Sequence, residues 1–162
     1  MSYSKEDQER KEDQERRRSL IGIVLFVTYL VALMYVMFFA EMLGRTEIDR
    51  DYRYNLQLFR EIGRFIRHWK VLGLQAVFWN LGGNVLCFMP FGFFLPWLFR
   101  SLDRFYLAVL LSLYLSLLIE LTQLFLRVGS FDVDDLLLNT LGGFLGFLCY
   151  RLWRRLRRRP AS

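Results

Sequence analysis

Four apolar runs, at residues 20–40, 71–99, 105–126 and 136–150, alternate with polar segments along the chain. The first run has no charged residue over its 21 positions, which is long enough to cross a bilayer as one helix. The third run has a similar length and carries a single acid, Glu120. The pattern predicts an all-α membrane protein, built as a four-helix transmembrane bundle.

The second and fourth runs depart from the length of one upright span. The second is 29 uncharged residues long, so we expect part of it to be tilted or to lie at the membrane interface. Pro90 and Pro96 should kink this helix or end it. The fourth run has only 15 residues, and we expect Arg151 and Trp153 to extend it by reaching toward the headgroups.

Residues 55–69, between the first two runs, have the period of an amphipathic helix. Its apolar face comprises Leu56, Phe59, Ile62, Ile66 and Trp69. Arg60, Arg64, Arg67 and His68 lie away from this face, which predicts a basic surface helix in the first external loop. Such a helix lies on the membrane surface or packs on neighbouring protein, and the pattern leaves both alternatives open.

The distribution of basic residues predicts the orientation of the bundle in the membrane. Lys and Arg number 22 against 16 Asp and Glu, and 14 of the 22 fall at residues 1–18, 100–104 and 151–162. Because basic residues concentrate on the cytoplasmic side, both termini are predicted to be cytoplasmic. The basic excess suits contact with anionic lipid, and no nucleic-acid partner is predicted.

These boundaries divide the chain into four parts. Residues 1–18 form a polar cytoplasmic tail, expected to be disordered or weakly helical, and residues 19–40 form the first transmembrane anchor. Residues 41–153 form a domain with three further transmembrane helices, and residues 154–162 form a basic cytoplasmic tail.

Polar side chains interrupt the spans near one side of the membrane. On the third span, Gln123 and Arg127 follow Glu120 at i+3 and i+7, which predicts that all three share one helix face. Alternating helix direction brings the polar positions of the other spans to a similar depth. The resulting candidate site, an outward-facing polar pocket, comprises Asn80, Asn84, Glu120, Gln123, Arg127, Asp132, Asp135 and Asn139. Groups of this kind bind ligands or join helices through hydrogen bonds, and both readings stay open.

Glycines mark two places where helices could approach closely. Gly82 and Gly83 lie in the second run, and Gly142, Gly143 and Gly146 lie in the fourth. A position without a side chain lets two helix backbones come together, so we expect both groups to face another helix.

Two stretches resemble the VanZ family, small membrane proteins linked to teicoplanin resistance. The more specific is ELTQLFLRVGSFDVDDLLLNTLGG at residues 120–143, and the second is NLGGNVLCFMPFGFFLP at residues 80–96. The family's N-L-x-P-F element is present at residues 55–59 without its proline. The resemblance implies a multi-pass bacterial cell-membrane protein with a role in glycopeptide resistance or cell-envelope homeostasis.

Three functions follow from these observations. In the first, the pocket binds the headgroup of a membrane lipid or a lipid-linked cell-wall precursor, with Arg127 on its phosphate. In the second, an intramembrane enzyme uses Glu120 as general base, and Asp132 and Asp135 could hold Mg²⁺. In the third, the chain is a structural accessory subunit whose protein partners the sequence does not name. No cofactor is predicted.

Overall fold

The computed structural model describes residues 5–43 and 53–158. The elements, in chain order, are α1 (Lys5–Leu43), β1 (Tyr54–Asn55), α2 (Arg60–Arg67), α3 (Trp69–Leu72), α4 (Leu74–Val77), a π-helical turn (Phe78–Gly82), α5 (Gly83–Leu98), a 3₁₀ turn (Arg100–Leu102), α6 (Phe105–Leu126), β2 (Phe131–Asp132) and α7 (Val133–Arg158). Residues 1–4 and 159–162, at the outer ends of the predicted tails, lie outside the described residues.

The predicted membrane bundle is confirmed. Four helical segments are long and apolar enough to cross a membrane: Ser19–Phe38, Leu74–Leu98, Phe105–Leu126 and Val133–Arg157. The first belongs to α1, which begins at Lys5, so the polar segment before the span is helical. The fourth is longer than its 15-residue apolar run, because α7 begins ahead of that run and continues through its basic end.

The second apolar run does not form one continuous helix, because it is broken at Gly73. Gly73 has a φ of 85° between α3 and α4, a conformation that glycine adopts without a steric penalty. The span begins after this break and passes through the π-helical turn into α5. That helix continues through Pro90 and ends at Leu98, two residues beyond Pro96.

Successive spans run in opposite directions, as the alternation argument requires. At one end of the bundle, Gln123 near the end of α6 donates a hydrogen bond to the Met37 carbonyl of α1, at 2.9 Å. At the other end, the side chains of Trp97 and Leu98 lie against Gly22 of α1. The ends of α1 and α6 therefore meet the beginnings of α5 and α7, and this end carries most of the polar groups predicted for the site.

Glycine positions bring α5 and α7 into backbone contact. A Cβ on Gly142 would overlap the Val85 carbonyl, and one on Gly146 would overlap the Met89 carbonyl. The prediction of close approach is confirmed for the fourth span. It is wrong for Gly82 and Gly83: a Cβ on Gly83 would meet no described atom within 4 Å, and one on Gly82 would meet only Phe78 of its own turn.

The segment at residues 53–67, called the linking segment below, is tied to the start of α7 by two short strands. Tyr54 and Asn55 pair in parallel with Phe131 and Asp132. Just beyond, the Asp134 carboxylate accepts the backbone N–H groups of Phe59, Glu61 and Ile62 at 2.5, 2.8 and 3.2 Å. These amides open α2 and have no partner within the helix, so an aspartate distant in sequence caps it.

The predicted surface helix is shorter than its pattern. It occupies residues 60–67, and its one buried residue is Phe65, which was not assigned to the apolar face. Leu56 and Phe59 precede the helix, because Phe59 has a φ of 63°, in the left-handed region, which breaks the helical phase before Arg60. Leu56, Phe59, Ile66 and Trp69 of the predicted face are exposed on the protein, which is compatible with contact either with a membrane surface or with a neighbouring protein.

Replacing Gly146 with leucine should destabilise the bundle, because the new side chain would overlap the Met89 carbonyl. Overpacking costs roughly 1–3 kcal/mol where side chains can adjust, and a backbone oxygen adjusts less, so we expect a loss of about 3 kcal/mol or more. Denaturant unfolding in detergent micelles measures it. Gly83→Leu is the control, since that position has open space. Equal losses in both variants would contradict the backbone contact.

Replacing Asp134 with alanine should release the start of α2, since three backbone N–H groups lose their acceptor. We expect about 2 kcal/mol of lost stability and faster amide hydrogen exchange at residues 59–62. The matched control is Asp103→Ala, which removes a carboxylate paired with Arg151 and Arg154 at the opposite end of the bundle. Unchanged exchange at residues 59–62 in the Asp134 variant would show that the cap does not hold the helix.

Candidate functional site

A cavity of about 500 Å³ lies at the end of the bundle where α1 and α6 end and α5 and α7 begin. Helix α2 and the strand β1 form one wall of the cavity, and the π-helical turn contributes a further wall. Its volume is within the range of small-ligand sites. The polar side chains that line it are Arg53, Asn55, Arg60, Glu61, Arg64, Asn80, Asn84, Glu120, Gln123, Ser130, Asp132, Asp134 and Asp135.

Two buried carboxylates form a chain of hydrogen bonds at this end of α6 and α7. Glu120, which is 3% exposed, accepts the backbone N–H of Asp132 at 2.9 Å. The Asp132 carboxylate then accepts the backbone N–H of Asp134 at 2.8 Å, as the N-cap of α7, and the side-chain amide of Asn55 at 3.1 Å. A backbone amide and the strand pair therefore fix both carboxylates at the cavity wall.

Burial raises the pKa of the Asp132 carboxyl group. The nearby carboxylates of Asp134 and Glu61 raise this pKa further, while the hydrogen bonds from the Asp134 backbone and the Asn55 amide lower it. The site thus holds several acids close enough to repel one another.

Amide side chains complete the walls formed by the second and third spans. Asn84 donates a short hydrogen bond to the Asp135 carboxylate and so joins α5 to α7. Asn80 also lines the cavity, and its amide donates to the Ala76 carbonyl of its own helix at 2.8 Å. Gln123 is bonded to Met37 and is buried.

Three arginines of the linking segment line the cavity. Arg53 precedes β1, and Arg60 and Arg64 lie on α2; all three are exposed residues. Arg64 forms an ion pair with Glu61 at 2.6 Å, one turn earlier on the same helix. The guanidinium groups therefore lie toward solvent, while the carboxylates of Glu120 and Asp132 lie inside.

The structure brings six of the eight sequence-predicted site residues to one cavity. These are Asn80, Asn84, Glu120, Gln123, Asp132 and Asp135. Arg127 and Asn139 do not line it. Arg127 lies past Leu126, where α6 ends, and its backbone is left-handed with a φ of 55°.

Asn139 lies in a separate buried pair between α6 and α7. Its side-chain amide donates to the Ser116 hydroxyl at 2.9 Å, and both residues are almost fully buried. Among the described residues, the side-chain oxygen of Asn139 and the Ser112 hydroxyl have no hydrogen-bond partner. This pair joins the helices, which is the structural role that the sequence left open for such groups.

Sequence reasoning missed the arginines, Asn55 and Asp134. Asn55 opens the incomplete N-L-x-P-F element, so a signal was present, but the partner strand is 76 residues away and has only two residues. Asp134 stood between two predicted site residues. Because alternate positions at a helix start face different ways, its contact with α2 could not be read from spacing alone.

The Mg²⁺ hypothesis gains no support from the geometry. Across residues 5–43 and 53–158, no three His, Cys, Asp or Glu side chains are grouped so that they could hold a metal ion. The Asp132 carboxylate receives its hydrogen bonds from an amide and a backbone N–H.

Comparison with known proteins covers most of the chain. The family model described as VanZ/LLP1 matches residues 26–154. Protein VanZ of Enterococcus faecium is 39% identical over 69 residues, which are 43% of this chain and 42% of that protein, so the matched region spans less than half of the relative. No solved structure matches significantly. Since the family model covers the cavity, the whole of the second and third spans and most of the first and fourth, the chain belongs to the VanZ/LLP1 family.

Proposed function

We propose that this protein binds the polar headgroup of a membrane lipid or a lipid-linked cell-wall precursor, and that this binding contributes to glycopeptide (teicoplanin) protection in a bacterial cell membrane. The observation that carries the proposal is the cavity of about 500 Å³ at the end of a transmembrane bundle, lined by charged and amide side chains. Charged groups are costly at such a position unless they serve a ligand or one another.

Cavity size and composition support a headgroup as the ligand. The volume exceeds that of a lone phosphate and suits a group with several polar atoms. Exposed guanidinium groups offer forked donors that match phosphate oxygens. Arg53 and Arg60 take the role first assigned to Arg127, because they line the cavity and Arg127 does not.

The orientation of the cavity follows from charge. The tails and the loop at residues 100–104 carry most of the basic residues, so these segments are assigned to the cytoplasm. The end that holds the cavity then faces outward, where cell-wall precursors are used and glycopeptides act.

The hydrogen bonding of Glu120 supports binding over the general-base alternative. Its carboxylate accepts the Asp132 backbone N–H and thereby positions the start of α7. A purely structural accessory role would not require arginines on the solvent side of the cavity.

Cysteine labelling tests the orientation. In a chain with Cys87→Ala and Cys149→Ala, a cysteine at Gln57 should react with an impermeant maleimide in intact cells. A cysteine at Ser101, which is also exposed, should be protected until the cells are opened. The reverse pattern would place the cavity on the cytoplasmic side and contradict the outward assignment.

Arg60→Gln tests the function. The position is exposed, so the variant should fold, yet it removes a cationic donor from the cavity; headgroup binding should weaken roughly threefold to tenfold. The measurement is the teicoplanin inhibitory concentration of a susceptible Gram-positive host expressing the chain, which should fall toward that of the host alone.

Arg67→Gln is the matched control for Arg60→Gln. Arg67 lies on the same helix outside the cavity, where its guanidinium donates to the Gly63 carbonyl at 3.2 Å. Protection should survive this change. Full protection by both variants at equal expression would contradict a role for the cavity.

A further inference from the structure

An apolar groove lies between α5 and α7 on the surface of the bundle. Its volume is about 280 Å³, and it is lined by Met89, Pro90, Phe93, Phe94, Gly146 and Cys149. At Gly146 the α7 backbone comes so close to the Met89 carbonyl that the two helices touch along the floor of the groove. The groove shares no lining residue with the polar cavity, so it is a separate feature of the molecule.

An aromatic ring lies beyond the groove, toward the end of the bundle opposite the cavity. Trp153 follows Gly146 by seven residues, or roughly 10 Å along α7. Its ring lies 5.8 Å from that of Phe93, measured between centroids, so it continues the surface of the groove. Tryptophan is enriched where the hydrocarbon of a bilayer meets the headgroups, and this ring therefore marks that depth.

A guanidinium group lies one further turn along α7. Arg157 stacks over the Trp153 ring, with its Cζ 4.6 Å from the ring centroid, which fixes the cation beside the ring. Asp103, the carboxylate at this end, is paired with Arg151 and Arg154. Within the described part of the chain, no carboxylate pairs with Arg157.

Positive charge dominates the whole of this end. Residues 99–104 and 150–157 together carry six arginines against a single carboxylate. Basic clusters beside a membrane span attract anionic headgroups, and they repel the cationic part of a zwitterionic headgroup. The surface around the end of the groove is thus suited to negative charge.

We propose that the groove and Arg157 form a binding site for an anionic phospholipid, with one acyl chain along the groove and the phosphate on the guanidinium. Along α7 the apolar groove is followed by an aromatic ring and then by a cation. A phospholipid has the same order, since its acyl chain is followed by the glycerol esters and then by the phosphate. This site lies at the opposite end of the bundle from the cavity, so the inference goes beyond the proposed function and does not depend on it.

The first test compares two phospholipids that have identical acyl chains. Purified full-length protein in detergent is mixed with phosphatidylglycerol or phosphatidylcholine, and the retained lipid is measured by native mass spectrometry. Both lipids fit the groove, but only phosphatidylcholine brings a cation to the arginine-rich end. We expect roughly tenfold stronger retention of phosphatidylglycerol. Equal retention of the two lipids would overturn the proposal.

Arginine variants locate the phosphate. Arg157→Gln should weaken retention of phosphatidylglycerol roughly fivefold, the scale of one basic residue at a membrane surface. The matched control is Arg155→Gln, since Arg155 is also exposed but lies about half a turn around α7 from Arg157. Equal losses in the two variants would mean that the lipid senses only the summed charge of this end, and would overturn a defined site.

A filled groove tests the place of the acyl chain. Cys149 is exposed at the groove, so Cys149→Phe should occupy the groove and weaken retention of both lipids. Leu148→Phe, at an exposed position that does not line the groove, is the control and should retain them. Unchanged retention in Cys149→Phe would overturn the placement. A dimer that dissociates in Cys149→Phe with its lipid unchanged would assign the groove to a second copy of the chain and overturn the lipid site.

Discussion

Carboxylates at the start of α7 hold the backbone amides of two helices, and the cavity depends on those bonds. Asp132 caps its own helix, while Asp134 caps α2 across the cavity. Glu120 supports the arrangement by accepting the N–H of Asp132. Hydrogen bonds from several N–H groups stabilise a buried carboxylate, so acids can lie at the wall of this cavity. The same residues thus build the site and give it its charge.

Between the cavity and the other end of the bundle, the helices are held together by close backbone contact and apolar packing. Helices α5 and α7 meet through glycines at backbone distance, and Gly92 lies against the backbone of Gly143. Around them, Phe88 and Ile119 form a fully buried apolar core with Leu33 of α1. In lipid, such close contact stabilises helix pairs where the hydrophobic effect does not distinguish protein from membrane. This frame fixes the distance between Asn84 and Asp135, which are bonded across it.

The spans and the polar positions that they carry could be predicted from the sequence, because both follow from properties of single helices. Apolar length gives the spans, and alternation brings Asn84, Glu120 and Asp135 to one end. The places where the helical phase is lost could not be predicted. Arg127 lies past the end of α6 with a left-handed backbone, and the left-handed backbone of Phe59 separates Leu56 from α2. Nothing in a periodic pattern predicts a two-residue parallel strand pair between segments so distant in the chain.

The large sequence separation of the paired segments has a consequence for the folding of the protein during synthesis. The contacts that close the cavity join residues 55–62 to residues 132 and 134, across 72 to 77 positions of the chain. Synthesis proceeds from the N-terminus, so the first three spans emerge before either aspartate exists. During that interval the amides of α2 have no acceptor from α7, and the arginines of the linking segment lack the carboxylates of α7. The cavity is therefore the last part of the molecule to form, and a nascent chain released before α7 would insert helices without forming it.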